Sequence, residues 1–146
     1  MMVIVPDASV ILKWVLQRED EADFLNAFRI LDEYLAERIE IRLPSLWRYE
    51  VGNILGMKQP RRAGDAMDAL LAYEFTEEVL HRDYCLDVFR LVAEIKGISF
   101  YDASYHALAL RESGTYVTAD ERYVVRAGKK GHAVLLSQWK LPSRER

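Results

Sequence analysis

The sequence predicts an α/β fold, a central parallel sheet with helices on both faces. Short apolar, β-branched runs alternate with amphipathic stretches along the whole chain. The first run, Met2–Pro6, has no polar residue on either face, as a strand covered from both sides requires. The 146 residues hold no internal repeat, low-complexity tract or Gly/Ser linker, so residues 1–146 form a single domain.

Met2–Pro6 is the first strand. Asp7-Ala8-Ser9 opens a helical stretch, Val10 to Leu16, which places Asp7 at a strand-to-helix junction. Asp20–Arg38 reads as a helix with Phe24, Phe28, Leu31 and Leu35 on one face. Ile39–Leu43 alternates as a strand. Ser45–Met57 is helical after Pro44, and its inward face would be Leu46, Glu50, Asn53 and Met57. Gln59 to Gly64 is a turn, and Gly64–Tyr73 is the next helix. Phe75–Leu80 reads as a strand. Asp83–Lys96 is a helix with Cys85, Val88, Phe89, Val92 and Ile95 inward and Gly97 as its stop. Ser99–Arg111 is a helix ending near Gly114. Tyr116–Thr118 is a strand, Asp120–Lys130 a helix closed by Gly131, and Ala133–Leu136 a last strand.

Composition excludes several classes. Hydrophobic residues are 51% and charged residues 29%, the balance of a folded globular chain. No apolar run reaches the roughly 18 residues that span a bilayer, so no membrane partner is expected. No basic leader precedes the apolar start, so the cytoplasm is the expected location. The single Cys85 excludes an internal disulfide and a cysteine zinc site. Net charge is −3, which does not suit binding to nucleic acid by bulk charge. The charge is uneven, however: residues 121–146 carry +5, leaving −8 on the rest. The basic end suits either a solvated last segment or a local phosphate-binding surface.

Four carboxylates stand apart from the polar helix faces. Asp7 has apolar residues on both sides. Glu50 and Asn53 interrupt an apolar stripe. Asp102 starts the small-residue helix DASYHALAL. Asp120 ends YVTAD, two residues after Thr118. Singly, Asp7, Asp102 and Asp120 also suit helix N-caps, and Glu50 an ion pair with Arg48 or Lys58. Together they point elsewhere. In a parallel sheet ligands bind beyond the carboxyl ends of the strands, where Asp7 and Asp120 both fall. Clustered carboxylates repel unless a cation neutralises them, and an all-oxygen set suits a hard divalent cation, Mg²⁺ or Mn²⁺.

The segments VPDASVILKW, LWRYEVGNIL, ISFYDASYHALAL and YVTADERY, in that order, resemble those of PIN-domain proteins, most closely the VapC toxins of toxin–antitoxin pairs. The resemblance implies a PIN-like three-layer α/β/α fold and a metal-dependent endoribonuclease. It implies catalytic and metal-binding roles for Asp7, Glu50, Asp102 and Asp120, with Mg²⁺ or Mn²⁺ as cofactor. Ser9, Asn53 and Thr118 match its supporting positions, and Glu121 would be an outer acid. It further implies an RNA substrate, a small antitoxin partner and a homodimer, and Trp14, Phe24 and Phe28 are large apolar residues compatible with an interface. Two departures are Pro6, which removes a backbone donor at the strand's end, and Lys58–Gly64, which is short for the helical hairpin of many relatives.

Other residues have plainer readings. His106 shares a helical face with Asp102 and reads as a packing or surface residue. Cys85, Trp14, Trp47 and Trp139 read as packing. Lys58, Arg61 and Arg62 flank a turn that suits RNA, an antitoxin or solvent. A haloacid-dehalogenase-like phosphatase also opens with a strand and an aspartate. It needs a second acid two residues on, where this chain has Ser9. A catalytically silent RNA- or partner-binding module would lack one or more of the acids, and all four are present.

Overall fold

The computed structural model describes residues 1–16 and 23–141. The start of the helix expected over Asp20–Arg38 and the last five residues of the basic segment 121–146 lie outside the described residues. In chain order the strands are β1 (Met2–Pro6), β2 (Ile39–Pro44), β3 (Thr76–Glu78), β4 (Thr115–Thr118) and β5 (Ala133–Leu135). The helices are α1 (Ala8–Ile11), α2 (Phe24–Leu35), α3 (Trp47–Lys58), α4 (Ala63–Leu71), α5 (Arg82–Glu94), α6 (Phe100–Arg111) and α7 (Glu121–Ala127). Among the described residues no helix is long and apolar enough to cross a membrane.

All five strands are parallel, in the order β3-β2-β1-β4-β5. Chain order runs outward from β1 in both directions, so the strand order reverses between β1 and β4. That is the switch point at which the carboxyl ends of an open parallel sheet leave a crevice. Right-handed crossovers put α1–α4 on one face and α5–α7 on the other. The core is β1 (Ile4 and Val5), β2 (Ile41 and Leu43) and β4 (Tyr116 and Val117), all fully buried, closed by Val10, Val51, Val88 and Leu108 from the helices. Each such aliphatic side chain contributes about 1.5–3 kcal/mol by leaving water.

The elements match the sequence expectation, but three helices turn a different face inward. On α3 the buried stripe is Trp47, Val51 and Leu55, whereas Asn53 and Met57 are exposed. Burying the larger indole fixes the rotation and leaves Glu50 at the edge of the stripe. On α5 the buried residues are Tyr84, Val88 and Leu91, with Phe89 exposed and Cys85 half-buried. The Tyr84 hydroxyl donates to the Ser104 carbonyl of α6 at 2.5 Å, so a tyrosine takes the place of the expected phenylalanine. On α2, Ala27, Ile30 and Leu31 are buried and Leu35 is exposed. Small Ala27 admits Trp14, whose indole N–H donates to the Ala27 carbonyl at 2.8 Å. Trp14 is thus core, not interface, and Phe24 and Phe28 are half-buried against each other at 4.7 Å.

The two departures in the sequence are accommodated. Pro6 pairs in register with Val117, and the ladder continues through the Asp7 N–H, which donates to the Val117 carbonyl at 3.2 Å. The α3–α4 hairpin forms with a turn of residues 59–62. Gly97 stops the segment after α5 at φ 83°, a conformation that favours glycine.

Candidate active site

Asp7 is the best-held acid. β1 ends at it, its backbone is extended (φ −87°, ψ −177°), and it caps α1. Oδ1 accepts from the Ser9 N–H (3.0 Å) and the Ser9 hydroxyl. Oδ2 accepts from the Tyr116 hydroxyl (2.8 Å) and the Thr118 hydroxyl (2.6 Å). The residue is 8% exposed. Burial pushes its pKa up, and the hydrogen bonds from Ser9, Thr118 and Tyr116 oppose that shift.

Ser9 and Thr118 are relays. The Ser9 hydroxyl also accepts from the Ala119 N–H (3.1 Å), and the Thr118 hydroxyl from the Asp120 N–H (3.0 Å). The turn after β4 is thereby fastened to the end of β1. Asp120 caps α7, its Oδ1 accepting from the Tyr123 N–H at 3.2 Å, and its side chain is exposed.

Asp102 is not the cap of α6. That role belongs to Ser99, whose hydroxyl accepts from the Asp102 N–H at 3.0 Å. The Asp102 carboxyl is half-buried. Burial raises its pKa first, repulsion by Asp7 and Asp120 adds to this, and Ser99 opposes it. Glu50, in the first turn of α3, is also half-buried and accepts from the Tyr105 hydroxyl at 2.6 Å through Oε1. Its pKa is raised by burial and then by Asp7 and Asp102, against the Tyr105 hydrogen bond. Neither ion pair considered for Glu50 forms among the described residues: Arg48 pairs with Glu77 at 2.7 Å, and Lys58 is exposed at the end of α3.

The structure therefore brings Asp7, Glu50 and Asp102 into one another's field, and Asp120 into that of Asp102. Ser9 and Thr118 join them by hydrogen bonds. Asn53 and Glu121 are exposed, and among the described residues no hydrogen bond ties either to the acids. Nor, among the described residues, does any lysine or arginine form an ion pair with Asp7, Glu50, Asp102 or Asp120. No three acids, histidines or cysteines there are near enough to form a ready metal cage.

Two tyrosines complete the site and were not singled out in the sequence. Tyr105 and Tyr116 are buried, their rings stacked at 6.0 Å and 16°. One orients Glu50 and the other Asp7. Burial, then the adjacent carboxylates, push both phenols up, so they stay protonated donors. The signals were position and spacing: Tyr105 follows Asp102 by three, and Tyr116 precedes Thr118 by two on the same strand face.

His106 is fully buried and serves packing, as its place on α6 suggested. The Gly131 carbonyl can only accept, at 2.8 Å from Nε2, so Nε2 carries the proton. Nδ1 then accepts from the Tyr123 hydroxyl at 2.7 Å. Burial lowers its pKa and keeps the ring neutral. The Tyr123 hydrogen bond ties α7, which Asp120 caps, to α6, whose first turn carries Asp102.

The chain matches the PIN domain family model over residues 4–129. No curated protein sequence matches it. Solved structures share its fold. A toxin–antitoxin complex from Klebsiella pneumoniae superposes with TM-score 0.68 at 16% identity, over 94% of this chain and 99% of that one. Mycobacterium tuberculosis VapC20, a sarcin-ricin loop cleaving toxin, gives 0.62 at 16% identity over 86% and 94%. VapBC2 from Rickettsia felis, bound to a promoter DNA fragment, gives 0.67 at 15% identity over 92% and 97%.

Proposed function

The chain belongs to the PIN domain family, and from that premise we propose that it is a divalent-metal-dependent endoribonuclease, the toxin of a toxin–antitoxin pair. One observation carries the reading. Asp7 acts electrostatically on both Glu50 and Asp102, each of the three has a raised pKa, and among the described residues none of them forms an ion pair. Uncompensated carboxylates at low dielectric cost stability, and such an arrangement persists where a cation offsets it.

The donor set fits Mg²⁺ or Mn²⁺. Mg²⁺ keeps several of its waters and is usually held by one or two carboxylates, so a full protein cage is not required. Asp7, Asp102 and Asp120 would hold the ion, directly or through water. When bound, it would stabilise charge developing on the phosphodiester and activate a water. The chain's own groups do the rest. Four donors fix the Asp7 carboxylate. Asp102, relieved of capping by Ser99, is free to turn toward a ligand. Glu50, a stronger base than an exposed glutamate, takes the attacking water's proton at Oε2 while Tyr105 holds Oε1. The wider setting in this reading is a cytoplasmic homodimer inhibited by a small antitoxin.

The test is incubation of the purified protein with single-stranded and structured RNA, with Mg²⁺ or Mn²⁺ and then with EDTA. Cleavage with either metal that stops in EDTA is expected. Cleavage that survives EDTA contradicts the metal role. No cleavage with any divalent metal contradicts the enzyme and leaves a silent binding module.

A further inference from the structure

Two of the acids are tied to one pair of rings. Glu50 is on α3 and Tyr105 on α6, helices on opposite faces of the sheet. The Tyr105 hydroxyl donates to Glu50 Oε1 at 2.6 Å, so this bond joins the two helical layers. The Tyr105 ring lies nearly parallel to that of Tyr116, 6.0 Å away at 16°, within the range of aromatic pairs. The Tyr116 hydroxyl in turn donates to Asp7 Oδ2 at 2.8 Å. Tyr116 is held in the middle of the sheet. It pairs with Val5 on one side and Ala133 on the other, and the Tyr123 ring stands edge-on to it at 5.2 Å and 77°. Both tyrosines are buried, in an interior whose close packing leaves each ring one place. The acids differ in how far they depend on the rings. Asp7 has three further donors, the Ser9 N–H, the Ser9 hydroxyl and the Thr118 hydroxyl. Among the described residues, the Glu50 side chain accepts a hydrogen bond from Tyr105 alone. It is a long, half-buried side chain, and without that donor it spreads over several rotamers.

We propose that the stacked Tyr105–Tyr116 pair is a spacer that fixes Glu50 relative to Asp7, with Tyr105 as the positioning residue of the base. The proposal rests on the ribonuclease reading above, in which Asp7 helps to hold the ion and Glu50 takes the proton. The attacking water must lie within hydrogen-bond reach of Glu50 as it meets the phosphodiester, and a misplacement of about 1 Å costs on the order of 100-fold in rate. Tyr105 sets the place of Glu50 through its hydroxyl. Tyr116 sets it through its ring, without a hydrogen bond to Glu50, by fixing where the Tyr105 ring lies.

Three readouts on the full chain test this: steady-state cleavage of a labelled oligoribonucleotide in Mg²⁺, Mn²⁺ binding by calorimetry, and thermal melting in EDTA. Tyr105→Phe keeps the ring and removes the hydroxyl. Its kcat is expected to fall by about 10–100-fold, while KM and Mn²⁺ affinity stay close to wild type. Tyr116→Phe should lose less, under about tenfold in kcat, because Asp7 keeps three donors. Tyr116→Leu removes the ring that Tyr105 lies against, and its kcat should fall about tenfold further than that of Tyr116→Phe. Tyr84→Phe is the control, a buried phenol that donates to the Ser104 carbonyl and not to an acid. It should lower Tm at least as much as Tyr105→Phe does and keep the wild-type kcat. If wild type cleaves RNA and Tyr105→Phe keeps its kcat, the proposal is overturned. It is overturned too if Tyr105→Phe loses as much Mn²⁺ affinity as kcat, or if Tyr84→Phe loses as much kcat as Tyr105→Phe. Should Tyr116→Leu fail to fold, the comparison of Tyr105→Phe with Tyr84→Phe decides. A wild type that cleaves no RNA overturns the ribonuclease reading, and the proposal with it.

Discussion

Asp102→Asn is expected to lower Mg²⁺-dependent RNA cleavage by more than about 100-fold, since even partners outside the ligand set of a metal site cost 10–100-fold. The same change should not lower the melting temperature in EDTA. Asp102 caps nothing and is repelled by Asp7 and Asp120, so its neutral isostere relieves strain in the metal-free protein. The pH dependence follows from linkage. Asp7, Glu50 and Asp102 have folded pKa values above their ordinary 3.8, 4.5 and 3.8. Their protonated forms favour folding below those values, and the contribution is lost as pH rises through the folded values. The metal-free protein should therefore lose stability from mildly acidic toward neutral pH, and Asp102→Asn should lose less. Glu77 acts in the opposite sense. Its pKa is lowered chiefly by the Arg48 hydrogen bond, so its contribution disappears only at more acid pH, below 4.5. Melting curves across pH in EDTA, with cleavage assays in Mg²⁺, check both parts. A variant that melts far below wild type without metal would mark Asp102 as a structural residue.

Gly114→Ala is expected to be the most damaging single methyl addition in the chain. A β-carbon there would stand 2.5 Å from the Val3 carbonyl oxygen and 3.1 Å from its carbon. The obstacle is backbone of the central strand, which cannot move aside. Overpacking of this kind costs about 1–3 kcal/mol or more, a fall on the order of 3–10 °C in Tm for a chain of this size. Gly56→Ala is the matched comparison. Gly56 is exposed within α3 with nothing within 4 Å of its β-carbon position, so it should gain up to about 1 kcal/mol from helix propensity. Equal Tm values for the two variants would contradict the packing of α6 and β4 on β1.

Gly114 also shows where sequence reading stops. As a residue just past a helix, it reads as a stop signal. Its tight approach to Val3 exists only once β4 has paired with β1. Strand positions were legible because β-branched runs bounded by Pro, Gly and Asp have few alternatives. Asp7 was legible for the same reason, as a carboxylate where a buried strand ends. Helix faces were less so. The stripe Leu46, Glu50, Asn53, Met57 has helical spacing, yet Trp47, Val51 and Leu55 have it too and bury more surface. On α5 the deciding residue was Tyr84, amphipathic by itself and buried only because the Ser104 carbonyl accepts its hydroxyl. The same limit hid Tyr105 and Tyr116. Their phenols are visible in the sequence, but which carboxylate each one meets is set by how α6 and β4 lie against α3 and β1.

The central claim is that these acids gather to hold a divalent cation, and direct binding tests it. Mn²⁺ is titrated calorimetrically into metal-free wild type and into Asp102→Asn at neutral pH. Saturable binding to wild type, weakened by at least about tenfold in the variant, is the expected result. No binding to wild type, or equal binding to both proteins, would contradict it.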